Sequence, residues 1–403
     1  MRRLAFAFPL ALIVACAPEE PAAEWTITVD TLDGGAGPVR VVNTPPEGGE
    51  EAVTWRLAEE GRIGPTSFGS IAQVAVDSGG RLAVLDFQAQ ELRVFGPDGA
   101  HRGTFGGEGE GPGELSMAVG VIADGNRLLV PEASNARLSV FDADSGFVTS
   151  HPTRLYSYGS LGWDAVIDTA GRIQVLSSGG VPGGTGQFLV RVYDAAMTPL
   201  DTLPYRTYEQ AGVGGTGPGS WVIPVGARSR LTVAVPFYAG EQEMLDRTGA
   251  IWVAQTHLGY RLVRFLPGGD TVRTVEVGRT PRPIPPATRD SAIARVRRDL
   301  EARRVQAEVD FSIVPEVHPS IYGISTSDEG DLWVRTTSLD ESPTRYDVLD
   351  ADGRYRGTVE IDGRVKQGVE PVVRGERVWA VVLGELDEES VVIGRLVGDR
   401  PIR

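Results

Sequence analysis

The feature that most constrains this chain is an internal repeat. An apolar strand, an acidic residue, a Gly-bearing turn and a second apolar strand recur along the sequence. The copies are 74–84 around Asp77 and Gly80, 121–130 around Asp124, 166–175 around Asp168 and Gly171, 244–253 around Asp246 and Gly249, and 324–334 around Asp328 and Gly330. A weaker sixth copy covers 372–380 around Gly375. The second strands fall at 82, 128, 173, 251, 332 and 378, so the intervals are 46, 45, 78, 81 and 46 residues. A unit of this size cannot bury its apolar faces alone and must stack on its neighbours.

Intervals of roughly 40 to 50 residues suit one four-stranded blade of a radial array, and each long interval holds one blade plus an insertion of about 30 to 35 residues. The copies continue into a third strand and a hairpin. Leu92-Arg-Val-Phe95 runs into Pro97-Asp98-Gly99, and Tyr346-Asp-Val-Leu349 runs into Asp350-Ala-Asp352-Gly353. Pro-Gly and Asp-Gly suit tight hairpins because Gly accepts positive φ. Second strands such as Ile251-Trp252-Val253 and Leu332-Trp333-Val334 are apolar on both faces, as a sheet sandwiched between two others requires. The expected fold is all-β: a six-bladed β-propeller of four-stranded antiparallel blades, with a helical insertion between blades 4 and 5. The last copy lacks a fourth strand of its own. The segment Val53-Thr-Trp-Arg-Leu57 is expected to supply it and close the ring, which removes exposed sheet edges. Trp252, Trp333 and Trp379 share one register and are read as interblade packing.

The stretch Phe105-Gly-Gly-Glu-Gly-Glu-Gly-Pro-Gly-Glu-Leu115 is close to the Gly-Pro-Gly-Glu/Gln-Phe signature between NHL-type blades, with Leu115 where Phe is more usual. Over residues 50–397 the pattern resembles bacterial six-bladed propellers of the NHL and TolB-like type. The resemblance implies blade architecture and carries no chemistry.

The N-terminus carries a second signal. Arg2 and Arg3 precede an apolar run at 4–14 that is too short to span a membrane as a finished helix. The run ends in Ile13-Val14-Ala15-Cys16, which resembles the lipobox of bacterial lipoprotein signal peptides. In that family the Cys becomes the first mature residue and carries the acyl chains. The resulting organisation is a signal peptide at 1–15, a lipidated Cys16 with a tether at 16–50, and the propeller at 51–403. Cys16 is the only cysteine, so the exported part has no internal disulfide to form. Ala17 follows it, without the Asp that retains many lipoproteins in the inner membrane. The resemblance therefore points to the cell envelope, at the outer membrane or the periplasmic side. A formal charge of −15 disfavours nucleic acid as a partner. The expected partners are the membrane, through the lipid, and a protein or anionic glycan; the chain is expected to be a monomer.

In a propeller the first-to-second and third-to-fourth strand turns lie at one end, and the remaining connections lie at the other. The variable segments 179–187, 204–221 and 278–319 all belong to the second end, where loops on a rigid scaffold commonly bind ligands. Residues 279–304 hold eight Arg against Asp290, Asp299 and Glu301. The spacing predicts a helix there, capped by Thr288 or Asp290, with Ile293, Val296 and Leu300 docked on the ring and Arg295 and Arg298 facing solvent. Arg295, Arg298, His151, His257 and His318 form the candidate ligand-facing rim.

Other motifs carry little chemistry. Gly212-Val-Gly214-Gly-Thr-Gly217 has dinucleotide spacing, but Pro218 and Gly219 follow where a helix should open. Glu108 and Glu110 would repel phosphate from the Gly-rich stretch 106–113. Asp142-Ala-Asp144 and Asp350-Ala-Asp352 lack the remaining ligands of a calcium loop and read as turns. No catalytic residue is identified. The chain is read as a lipid-anchored binding or scaffolding module for a protein or glycan, with no cofactor, rather than as an enzyme. The alternative is a metal-dependent hydrolase or lactonase. Related propellers of the gluconolactonase type hold a divalent metal in the channel through Glu, Asn and Asp. Asp164, Glu241 and Glu243 lie near the expected starts of inner strands, without a residue-by-residue match.

Overall fold

The computed structural model describes residues 24–32, 37–48, 52–64, 67–153, 163–179, 185–209, 219–225, 230–305 and 308–398; Cys16 and the preceding signal lie outside them. In three copies of the repeat the acidic side chain builds the first turn. Asp77 Oδ1 accepts from the backbone N–H groups of Gly79 and Arg81 at 2.9 and 2.8 Å. Asp168 does the same for Ala170 and Arg172, both at 2.9 Å, and Asp246 for Thr248 and Ala250 at 2.8 and 3.1 Å. Gly80, Gly171 and Gly249 then sit at φ of 79°, 76° and 83°, where a side chain is strained. In the fifth copy Ser327, not Asp328, holds this position, and its Oγ accepts from the Asp331 N–H at 3.1 Å. Asp328 instead accepts from the Gly375 N–H, at 3.1 Å, in the sixth unit.

Three units are separate four-stranded antiparallel meanders. They comprise Ile71–Val76, Leu82–Asp86, Glu91–Phe95 and His101–Gly106; Ile122–Asp124, Arg127–Glu132, Arg137–Asp142 and Gly146–Pro152; and Ala165–Ile167, Ile173–Gly179, Thr185–Tyr193 and Pro199–Glu209. The fourth meander is Gln242–Leu245, Ile251–Ala254, Arg261–Phe265 and Thr271–Val277. Two N-terminal strands widen it to six: Val39–Thr44 runs parallel to Thr271–Val277, and Thr26–Thr31 adds outside it. Part of the segment expected as a tether at 16–50 is thus sheet. The buried Asn43 fixes it, with Nδ2 donating to the Gly353 carbonyl at 2.9 Å and Oδ1 accepting from the Tyr355 N–H at 2.8 Å.

The fifth meander is Gly323–Thr326, Leu332–Arg335, Thr344–Leu349 and Tyr355–Ile361. The closing unit holds Arg364–Val365 and Val372–Arg374 beside Arg377–Leu383, followed by Glu389–Gly398 and then Trp55–Ile63. The N-terminal chain therefore completes the last unit, from Trp55↔Gly398 to Ile63↔Val391. Trp55 and Arg56 also pair in parallel with Val359 and Glu360, which fuses the fifth and sixth units into one nine-stranded sheet instead of two four-stranded ones. Gly357 permits this approach, because a Cβ there would meet the Trp55 ring and Thr54 Oγ1 at 2.5 Å.

Six apolar cores lie between successive units among the described residues. Leu85 and Leu92 meet Val130 and Phe141; Leu129 and Leu138 meet Ile173 and Val175; Val190 and Val192 meet Ile251 and Val253. Trp252 and Leu262 meet Leu332 and Val334, Trp333 and Val359 meet Val378 and Val392, and Trp379 and Val381 return to Val74 and Val84. The three tryptophans are buried in these cores, as their shared register implies. Among the described residues the protein is nearly all-β, with one α-helix and a propeller-like arrangement of sheets. First-strand residues from the first, second, third, fifth and sixth units, with Arg247 after the fourth, line a central channel of about 250 Å³.

The helix, α1, is Pro286–Ala302. Its N-cap is Pro285 with Pro286 at the first helical position, so Thr288 and Asp290 lie inside the helix and do not cap it. Ile293, Val296 and Leu300 are buried as expected, but against Trp221, Ile223 and Val235 rather than the ring. Those residues come from or adjoin the separate hairpin Ser220–Pro224 and Arg230–Ala234. Trp221 Nε1 also donates to the Asp310 carbonyl at 3.0 Å. The two insertions flanking the fourth meander thus pack on each other.

Candidate functional site

The insertions and long connections gather at one end of the ring, where they enclose two cavities with a common wall at His318 and Pro319. The larger is about 470 Å³. Phe237 and Tyr238 line it from the approach to the fourth meander, Tyr322 from the fifth, Gln367 from the sixth and Thr288 from α1. Phe237 sits at φ 60°, uncommon for a bulky residue, and its ring meets His318 edge-on at 5.8 Å.

The second cavity is about 310 Å³. Arg279, Arg282, Arg345 and His318 line it together with five Ser or Thr residues, and no carboxylate lines it among the described residues. Each arginine is braced from behind. Arg279 pairs with the fully buried Asp347, Arg282 is bidentate to Glu341 at 3.0 Å, and Arg345 Nε meets Glu360 at 3.0 Å. Burial works against the Arg279 charge, but Asp347 outweighs it and the pKa is raised. Trp25 lies at the start of the N-terminal strands, stacked on Tyr355 at 3.7 Å, with the Arg279 guanidinium 5.6 Å from its ring centre. Burial, then the nearby Arg282 charge, lower the His318 pKa. Both effects favour the neutral ring, whose Nδ1 is 3.1 Å from the Tyr322 hydroxyl.

The proposed rim is only partly assembled here. His151, on Gly146–Pro152, and His257, in the turn Thr256–Leu258, sit at the same end, but only His318 lines these cavities. Arg295 and Arg298 are exposed on α1 and line neither. Arg279 and Arg282, counted in the basic segment but not chosen, are the ones that do. Arg345 had no sequence signal, since it lies in an ordinary third strand.

Of the three carboxylates noted for the metal alternative, Glu241 and Glu243 share Arg206, and Asp164 lies near enough to Glu243 to feel its charge. Tyr205 donates to Glu243 at 2.7 Å, while Arg206 bonds Glu241 at 2.6 Å and also pairs with Glu243. Asp164 keeps solvent-accessible surface yet is crowded by protein, and that crowding, then the Glu243 charge, push its pKa up to about 6. Arg206 engages both glutamates, so neither is held open as a metal ligand. Among the described residues no three His, Cys, Asp or Glu side chains converge as metal ligands.

Neither a protein-family profile nor a curated protein matches the sequence. In structure the chain is similar to a putative exported protein from Bacteroides fragilis, with 11% identity and a TM-score of 0.47 over 90% of this chain and 100% of that one. It is also similar to a member of the DUF4221 family from Bacteroides vulgatus, with 12% identity and a TM-score of 0.48 over 85% and 98%. A third is the PQQ-bound aldose sugar dehydrogenase from Streptomyces coelicolor, with 12% identity and a TM-score of 0.46 over 86% and 99%. These likenesses assign no activity.

Proposed function

We propose that the protein is a lipid-anchored, extracytoplasmic six-bladed propeller of the NHL or TolB-like kind that binds a ligand in the cleft at its insertion-bearing end. Six interblade cores that return to the first unit support the blade count. The Ile13-Val14-Ala15-Cys16 motif supports the anchor. The observation that carries the binding reading is the pair of cavities meeting at His318. Both fall in the size range of small-molecule sites, roughly 300 to 1,000 Å³. Their walls come from the fourth, fifth and sixth units and the insertions beside them, so the site exists only once these units have packed together.

Two variants test this reading. Cys16→Ser is expected to abolish partitioning into detergent; a processed variant that still partitions would place the anchor elsewhere. Gly240 lines the larger cavity, and a Cβ there meets open space. Gly240→Trp is therefore expected to fill the cavity at little cost in stability. In a glycan and peptide binding screen, ligands of the wild type should be lost in this variant. Unchanged binding would move the site away from this cleft.

A further inference from the structure

We propose that the cleft recognises an acidic oligosaccharide, with a uronate carboxylate in the cationic compartment and the adjoining sugar ring in the aromatic one. The inference rests on the binding reading above and deepens it by naming the ligand class.

The two compartments differ in chemistry. The smaller presents Arg279, Arg282 and Arg345 with hydroxyls from five Ser or Thr residues. Guanidinium groups match a carboxylate by paired, charge-assisted hydrogen bonds, and hydroxyls match the hydroxyls of a sugar. The acids that balance these arginines sit behind them and do not line the cavity, so its surface presents positive charge in a chain of formal charge −15. Their bracing also fixes the guanidiniums in place before a ligand arrives, which lowers the ordering cost of binding. The larger compartment offers Tyr238 and Tyr322 as flat apolar faces, with Gln242, Asp340 and Gln367 as hydrogen-bonding groups beside them. Aromatic faces suit the C–H face of a pyranose, and amide and carboxylate groups suit its hydroxyls. Both compartments adjoin His318, so a ligand that crosses it meets charge on one side and ring stacking on the other.

The arginines also differ in what their removal leaves behind. Loss of Arg279 would strand the buried Asp347, a change that threatens folding. Loss of Arg345 leaves Glu360 still paired with Arg56, and the Arg282–Glu341 pair is partly exposed. Arg282→Gln and Arg345→Gln are therefore the informative variants, with Arg295→Gln as a control outside both cavities.

The experiment is titration calorimetry on the detergent-solubilised full chain, with trigalacturonate, the neutral galactotriose, benzoate and inorganic phosphate as probes. Melting curves confirm that each variant folds. The expected result is at least tenfold tighter binding of trigalacturonate than of galactotriose. Arg282→Gln and Arg345→Gln should each erase most of that preference, and Arg295→Gln should leave it unchanged. Equal affinity for the acidic and neutral sugars overturns the proposal, as does a preference that survives both variants. Benzoate or phosphate binding as tightly as trigalacturonate overturns the sugar assignment. If the screen finds a wild-type ligand that Gly240→Trp loses, these failures leave the binding reading standing. If that screen finds none and no probe binds, both readings fail.

Discussion

Asp164 and Asp168 flank the same short strand, Ala165–Ile167, and do opposite things. Asp168 faces the regular end of the ring. Besides its two backbone bonds, its Oδ2 accepts from Arg172 Nε at 2.8 Å and Gln174 Nε2 at 2.7 Å. Burial works against its charge, but these bonds outweigh it and hold the pKa below the usual value. Asp164 faces the insertion-bearing end, where confinement and Glu243 oppose its charge. Asp168 thus closes a turn, whereas Asp164 sits where folding alone does not satisfy its charge.

Asp168→Ala offers the largest effect with which to break this comparison. It removes two backbone and two side-chain hydrogen bonds made by a buried carboxylate, so a loss of about 2 to 3 kcal/mol is expected in chemical denaturation. Ligand affinity should not change. A loss of binding in a variant that still folds would mean that the two ends are coupled.

Asp164→Asn should have the opposite sign. An acid whose folded pKa lies above its unfolded value binds its proton more readily in the fold, so its contribution to stability falls as pH rises from the unfolded pKa to the folded one. For Asp164 that window runs from 3.8 to about 6. The variant should therefore melt above the wild type at neutral pH, and the difference should vanish below about pH 4. Melting curves across this range check it. A variant less stable than the wild type at neutral pH would show that the Asp164 carboxylate is satisfied like that of Asp168.

The smallest effect concerns α1. Arg295 and Arg298 line neither cavity, so they act on an anionic ligand only at long range. Arg295→Glu with Arg298→Glu should slow association by a few-fold at low salt and leave dissociation unchanged, because exposed charges act within a Debye length of about 8 Å at physiological salt. A changed dissociation rate would bring the helix into the site itself.

The chain is most legible where one residue solves a local problem. The turn Asp with Gly three residues later was legible at Asp77, Asp168 and Asp246, because the hydrogen bonds close within the turn. In the fifth copy Ser327, three residues before Gly330, takes that role, and Asp328 instead reaches the Gly375 N–H of the next unit. The apolar stripe of α1 was legible for the same local reason, but its partner was not. Periodicity states that Ile293, Val296 and Leu300 need burial; it does not say that Trp221, some seventy residues earlier, supplies it. The basic segment drew attention to Arg295 and Arg298 because they form an obvious polar face. The cavity instead takes Arg279 and Arg282 from the extended stretch before the helix, and Arg345 from a distant strand.

By itself, the sequence determined the repeat, the turn chemistry, the doubly apolar second strands and the need for an N-terminal strand to finish the last unit. Each follows from spacing or from hydrogen bonds made within a few residues. Tertiary structure alone decided that Trp55 would reach Gly357 and join two units into one sheet, and that residues 26–31 and 39–44 would extend a third. It also decided that three arginines braced by Asp347, Glu341 and Glu360 would share one wall with His318. These outcomes depend on which edges and charges meet across the closed ring, and pairings over tens to hundreds of residues leave no periodicity in the chain.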